Sequence, residues 1–511
     1  MRVSMRSLSV FALFLVSAPA LRAQVAQEAI DMRVVDAIRD EGLHHSQVPE
    51  LVGYLTDVIG PRLTGSPGMK RANEWTAQTF REWGLQNVVI EPWGEFGRGW
   101  ENVDFAFRMV KPYTQRIDAA PLAWTGSTKG VVTGEAVIVD ASTLEELEQY
   151  RGKLRGRVVL QGAPADIGPE FEARERRFTA DELFTPVESR PQRTPAQRAE
   201  RERRMAEYRQ RAELRQKMSE FLVNEGVTAV LQPSRWTYGV LLVGGVNQAR
   251  AAGAPEGPPQ LVVAHEDYGQ IWRDVKRGVP VTLELNVKNR WYDDDLNGYN
   301  TLADLPGTDL ADQYVMIGGH LDSWHTSTGA TDNAAGTVVM MEAMRILKTL
   351  GVKPRRTIRI ALWSAEEQGL LGSRGWVQKH PELHDRISAY LNVDNGTGRI
   401  RGIWDQSNDA AIPIFEQTLW PFRDLGVVAV RHGNTGGTDH LAFDAAGIPG
   451  FNFIQDPIEY SFRTHHSDID TYERLMIDDL EQAAVVVAAT AYHLAMRADM
   501  MPRKPVAAEG N

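Results

Sequence analysis

At 511 residues the chain exceeds one ordinary domain. Its hydrophobic content of 43% and charged content of 24% exclude a disordered chain, and a net charge of −11 gives no footing for nucleic-acid binding. With no cysteine, disulfides and thiolate metal sites are excluded, so any metal must rest on histidines and carboxylates.

The chain opens like a secretory signal over residues 1–23. Arg2 and Arg6 give the positive start, Leu8 to Val16 the short apolar core, and Ala18-Pro19-Ala20 or Ala23 the cleavage region. That core is too short for a membrane-spanning helix, so the mature protein is expected to be exported, periplasmic or extracellular, without a stable membrane span. From residue 24 to 114, Val34, Val35 and Ile38, then Leu51, Leu55 and Val58, keep helical spacing. Gly60 to Gly68 is a turn-rich loop, and Arg71 to Trp83 reads as a helix closed by Gly84. His44-His45 reads as a solvated loop rather than a metal site.

The character changes over 115–295. Short strand patterns, such as Glu135 to Val139, Arg157 to Leu160, Thr228 to Leu231, Gln260 to Val263 and Val281 to Leu285, sit among glycines and prolines. Within them, residues 170–220 are dense in Arg and Glu, and Arg198 to Arg215 suits a solvated helix laced by opposite charges. Asp293-Asp294-Asp295 reads as an exposed junction.

From 296 to 500 the pattern is strand and helix in alternation. Tyr314-Val315-Met316-Ile317 is a buried strand running into Gly318-Gly319-His320-Leu321-Asp322-Ser323. The helix after it starts near Gly336 and carries Met341, Met344, Ile346 and Leu347. Thr357 to Trp363 is a second strand, followed by Glu366-Glu367, and Ser388 to Val393 a third, ending at Asp394. His465-His466 and Asp470 come far downstream. Strands that end in His, Glu-Glu and Asp deliver ligands where α/β sheets bind them, beyond the strand carboxyl ends. A helix over Ala410 to Leu425, a strand near Val427 to Val430 and a last helix from Leu475 to about Met496 complete the unit; residues 501–511 read as a mobile tail.

In sequence, the motifs are HLDS, GATDNAAG, EEQGLLGS, NVDN, GGTDHLAF with GIPGF, and HHSDIDT. Together they resemble the two-zinc exopeptidases, a family that includes bacterial leucine-type aminopeptidases, carboxypeptidase Q and glutamate carboxypeptidase. The resemblance implies a mixed, mostly parallel α/β sheet flanked by helices, with a β-rich protease-associated domain inserted at 115–295. It implies two Zn2+ per chain, with Co2+ or Mn2+ as substitutes. His320 and Asp394 would hold one ion, Glu367 and His466 the other, and Asp332 would bridge them. His466 is chosen over His465 because the family histidine lies four residues before an Asp, here Asp470. Asp322 and Asp470 would orient the two histidines, and Glu366 would be the general base acting on a metal-bridging hydroxide. Some relatives have Tyr where this chain has His465, which would then help stabilise the oxyanion. Family members often carry a cis peptide after the bridging Asp, so one is expected at Asp332-Asn333.

The implied partner is a peptide or dipeptide, cleaved by an aminopeptidase or dipeptidase, with a homodimer as an allowed assembly. A carboxypeptidase of the glutamate carboxypeptidase type is the main alternative. A glutaminyl cyclase-like acyltransferase is disfavoured by the complete two-metal ligand set, and a non-catalytic receptor-like relative by the absence of any missing ligand.

Overall fold

The computed structural model describes residues 27–504 apart from Ser142, Glu170 and residues 185–194. The signal-peptide reading of 1–23 lies outside the described residues, as do 505–511.

Two eight-stranded sheets organise the chain. In the first, Leu310–His320 lies between Arg356–Trp363 and Ile387–Asn392, all parallel, with Gly450–Gln455 parallel on the far side of Ile387–Asn392. These central strands are buried on both faces, which is why they read as continuous apolar runs rather than alternating ones. Antiparallel neighbours flank them: Asn297–Leu305 pairs Arg356–Trp363, and Gln86–Glu95 pairs Asn297–Leu305. The sheet is therefore mixed with a parallel centre, as expected. Helix Ala335–Thr349 runs back from the His320 strand and packs on the last helix, Ile477–Met496; Val338, Met341, Met344 and Val485 to Ala488 are all buried in one core. Glu28 ties the beginning of the described chain to that last helix, accepting from Arg497 Nε (2.9 Å) and facing His493 Nε2 (2.9 Å).

The second sheet is built from residues 99–292, with its own core around Leu231, Leu261, Trp272 and Leu283. Its edge departs from the expected boundary at 114/115. Gly99–Lys111 pairs antiparallel with Thr282–Tyr292 and so belongs to this sheet, not to the first. The long charged helix runs Pro195–Glu225.

Smaller differences have local causes. The helix expected over Ala410 to Leu425 is α only over Ile412–Leu419 and tightens to a 3-10 turn at Trp420–Leu425, where Pro421 enters. The tail expected to be mobile from 501 is docked at its start: Met501 is buried, its N–H donates to Ser388 Oγ (2.9 Å), and Arg503 donates to Gly447 O. Among the described residues no helix is long and apolar enough to cross a membrane.

Candidate metal centre

The register of the parallel strands brings the candidate groups together. His320 stands opposite Trp363, three and four residues before Glu366 and Glu367, while Gly318 stands opposite Asn392, two residues before Asp394. Asp332 reaches the same place from the turn that starts the following helix. That turn holds the expected cis peptide at Asp332-Asn333. Asn333 caps it, accepting from Gly336 N–H (2.8 Å) and donating to Val393 O (3.0 Å). Residue 336 has to be glycine, because a Cβ there would lie 2.2 Å from Val393 O.

Asp332 is central. Its Oδ1 lies 3.2 Å from His320 Nε2, which is itself 3.4 Å from Asp394 Oδ1. Its Oδ2 lies 3.4 Å from His466 Nε2, which is 2.8 Å from Glu367 Oε2. The five residues expected as ligands are thus gathered as two groups joined by one carboxylate. His465 stacks on His466 at 3.8 Å between ring centroids, and its Nε2 is 3.9 Å from Asp332 Oδ2.

The electrostatics of this cluster are those of carboxylates taken out of water. Burial pushes Glu366 and Glu367 well above the usual carboxylate range. Burial also opposes ionisation of Asp332, but His320 and His466 hold it below its ordinary value. Burial works against a charged His320, yet Asp394, Asp322 and Asp332 together raise it well above an ordinary histidine.

Asp332 Oδ2, Asp394 Oδ1 and both Glu367 oxygens are buried with no hydrogen-bond donor. Buried polar atoms are normally satisfied, so orphaned oxygens grouped around histidine nitrogens fit a cation site. A nitrogen and oxygen donor set of this kind suits zinc.

Two supporting carboxylates do something other than the resemblance implied. The His320 ring is oriented through Nδ1 by the main-chain O of Asp322 (3.0 Å), with the Asp322 carboxylate at 3.5 Å. That carboxylate accepts chiefly from Thr64 Oγ1 (3.1 Å) and from Glu366 N–H (3.3 Å), so it fixes the base more than the ligand. Asp470 accepts from Thr331 N–H (2.7 Å) and Asp332 N–H (3.0 Å). It holds the bridging residue's backbone rather than the His466 ring, and burial beside Asp332 pushes it up to about 7.

The structure adds residues that the sequence reading gave no role. Arg62, in the turn-rich loop, is fully buried and donates to four carbonyls, Gly60 O, Leu321 O, Thr328 O and Gly329 O (2.6–3.1 Å). It has no carboxylate partner in contact; Asp470, Asp322, Asp332 and Glu367 surround it at longer range, and burial brings it down to about 10. Asp439, inside the GGTDHLAF motif, is buried with both oxygens unpartnered and is pushed up to about 7 by that burial.

Residues 300–491 match the family described as peptidase family M28. The matched stretch holds all five candidate ligands, from His320 to His466. The match, with the relatives below, supports a zinc-dependent hydrolase of the exopeptidase class. The chain is 27% identical to mouse carboxypeptidase Q over 467 residues, covering 90% of this chain and 88% of the relative. Among solved structures it resembles a peptidase M28 precursor from Shewanella amazonensis, with a TM-score of 0.67 at 24% identity, covering 93% of this chain and 99% of the other. It also resembles a zinc aminopeptidase from Bacillus subtilis, with a TM-score of 0.56 at 19% identity over 89% of this chain and 96% of the other. These structural likenesses speak to the fold.

Proposed function

We propose that this chain is an exported two-zinc enzyme of the M28 type that removes an N-terminal residue from a peptide or splits a dipeptide. His320 and Asp394 would hold one ion, Glu367 and His466 the other, and Asp332 would serve both. The observation that carries this is Asp332, whose two oxygens face two different histidines, 3.2 and 3.4 Å away. The ions would supply Lewis acidity, making a water acidic enough to ionise near pH 7 and polarising the scissile carbonyl.

The chain's own groups do the rest. Glu366 is next to the ligand Glu367, and burial gives it a raised proton affinity. It takes the proton of the attacking water at its carboxylate and returns it to the departing nitrogen. Asp322 holds Glu366 in place through the latter's N–H. His465 offers a ring N–H toward the carbonyl oxygen as charge develops there. Residues 99–292 are read as the inserted protease-associated domain, and the first 23 residues as the export signal.

A carboxypeptidase is the second reading, favoured by the 27% identity to carboxypeptidase Q across most of both chains. A free dipeptide, an aminoacyl anilide and an N-blocked dipeptide separate the two. Hydrolysis of the first two supports the proposal; turnover of the N-blocked dipeptide with no attack on the anilide overturns it in favour of the carboxypeptidase.

A further inference from the structure

The loop from Ile458 to Asp468 brings His466 to the centre, and the inserted sheet's connections grip that loop at two places. At one, Leu242 forms an antiparallel bridge with Ser467. Val243 N–H donates to His466 O (2.8 Å), Leu241 N–H to Asp468 Oδ1 (2.8 Å), and Asp468 N–H to Leu241 O (3.2 Å). At the other, Arg176 and Ile458 exchange both backbone hydrogen bonds (3.2 and 3.0 Å), and Glu175 pairs with Arg463 at 2.7 Å. The two gripping segments are more than 60 residues apart in the insert, yet both close on one short loop.

The loop has reason to need holding. His466 sits at φ +55°, in the left-handed region that residues other than glycine avoid. A conformation of that kind persists only where its surroundings over-determine it. The insert supplies part of those surroundings: Leu241 and Val243 are buried in one apolar cluster with Trp324, whose ring packs edge-on against His466 at 6.0 Å. Among the described residues no comparable bond from the insert reaches His320, which stands on a central strand and is held by Asp322 and by the sheet.

We infer that the insert is a positioning element for one metal, its segments at 175–176 and 241–243 fixing the His466 loop so that the ion held by Glu367 and His466 depends on the insert. The ion held by His320 and Asp394 does not. This rests on the two-ion reading above. It gives the insert a task in the chemistry although it supplies no ligand: the backbone bonds hold the imidazole in position, and loosening them costs affinity at one ion only. Partners that orient metal ligands are typically worth roughly 10–100-fold in metal affinity.

The test uses the full chain loaded with zinc or cobalt and titrated with a chelator, with metal counted at each step and the cobalt spectrum recorded. Asp468→Ala removes the acceptor for Leu241 N–H; Asp468→Asn keeps an acceptor oxygen. The expected result is one ion weakened roughly tenfold or more in Asp468→Ala, the other unmoved, near-complete recovery in Asp468→Asn, and turnover restored to Asp468→Ala by added zinc. Glu175→Ala lies on the other grip and should shift the same ion by a smaller factor, so it serves if Asp468→Ala does not fold. Two ions bound as in the wild type in both Asp468→Ala and Glu175→Ala overturn the inference alone. Equal weakening of both ions with a lower melting temperature also overturns it, since general destabilisation would do that. A wild type that holds a single ion overturns the two-ion reading, and this inference with it.

Discussion

Among the described residues, two clusters each bring a histidine and two carboxylates within reach of one ion, and only one of them has the physics of a metal centre. At the strand ends, His320, Asp332 and Asp394 are all buried, and oxygens of both carboxylates have no donor. Near residue 432, Asp405, Asp409 and His432 also bring their ligand atoms within 4.8 Å of one another. There, however, Asp405 Oδ1 accepts from Ser407 N–H (2.9 Å) and Gly433 N–H (2.8 Å), and Oδ2 takes His432 Nδ1 (2.8 Å). Asp409 is 82% exposed, so water satisfies it. The residue types are the same; the difference is unmet demand. A satisfied cluster is an ion pair, and a buried unsatisfied one is built for a cation.

The largest expected effects fall on the strand-end centre and sharpen that contrast. Glu366→Gln should lower kcat by at least about 10²–10⁴-fold while both ions stay bound, because it removes a proton acceptor and no ligand. Glu367→Gln should instead release the ion shared with His466, and added zinc should partly restore turnover. Metal counts on the two purified variants decide it: loss of metal from Glu366→Gln with two tight ions in Glu367→Gln would mean the roles are reversed. Next comes His465→Ala, expected to reduce kcat by about 10²–10³ with metal content unchanged. An unchanged kcat would return His465 to simple packing against His466.

A stability effect of smaller weight tests the idea of unmet demand directly. Asp439 is buried, and the nearby Ser373 hydroxyl donates instead to Leu370 O. Its folded value of about 7 lies above its ordinary 3.8. A raised value means that its contribution to stability is full below about 3.8 and is lost as pH rises through about 7. Asp439→Asn should therefore stabilise the metal-stripped protein at pH 8, by roughly 2–4 kcal/mol, and leave it unchanged at pH 4. Thermal melts at the two pH values check this; a loss of stability at pH 8 would show that the carboxylate is needed in its ionised form.

The smallest effect belongs to the satisfied cluster. Asp405 raises His432 above its ordinary value, so the pair stabilises the fold below about pH 6.5 and the gain is lost as pH rises past the folded value. His432 is 41% exposed, which screens the pair to under about 1 kcal/mol. His432→Ala should thus lower the melting point slightly at pH 5.5, hardly at pH 9, and leave zinc content untouched. Metal loss in this variant would erase the distinction between the two clusters.

Much of the candidate centre was legible from the chain because its candidate ligands stand at the ends of strands whose apolar runs are unmistakable. His320, Glu367 and Asp394 follow buried strands by zero, four and two residues, so finding the strands finds the candidates. What the chain hides are choices made by distant approach. Asp470 turns to the Asp332 backbone because Thr331 and Asp332 present two adjacent N–H groups to it, 138 and 139 residues away. Arg62 looks like one residue of a turn because three of its four carbonyl acceptors lie 259–267 positions on. The strand Gly99–Lys111 could be placed in either sheet on local pattern; only its partner, Thr282–Tyr292, decides.

The pairing of Gln86–Glu95 with Asn297–Leu305 has a consequence for the order in which the protein can be made. The first of these strands leaves the ribosome about 200 residues before its partner exists. At about 5–20 residues per second, that is a wait of roughly 10–40 s. Throughout it the strand's hydrogen-bonding edge has no neighbour from its own sheet, while the whole of the second sheet emerges and closes between the two. The insert is thus finished before the centre it grips can begin to form. Late synthesis of the peptidase strands onto a completed insert makes the newborn chain vulnerable at Gln86–Glu95, the place where a strand-seeking chaperone or a second nascent chain would find its opening.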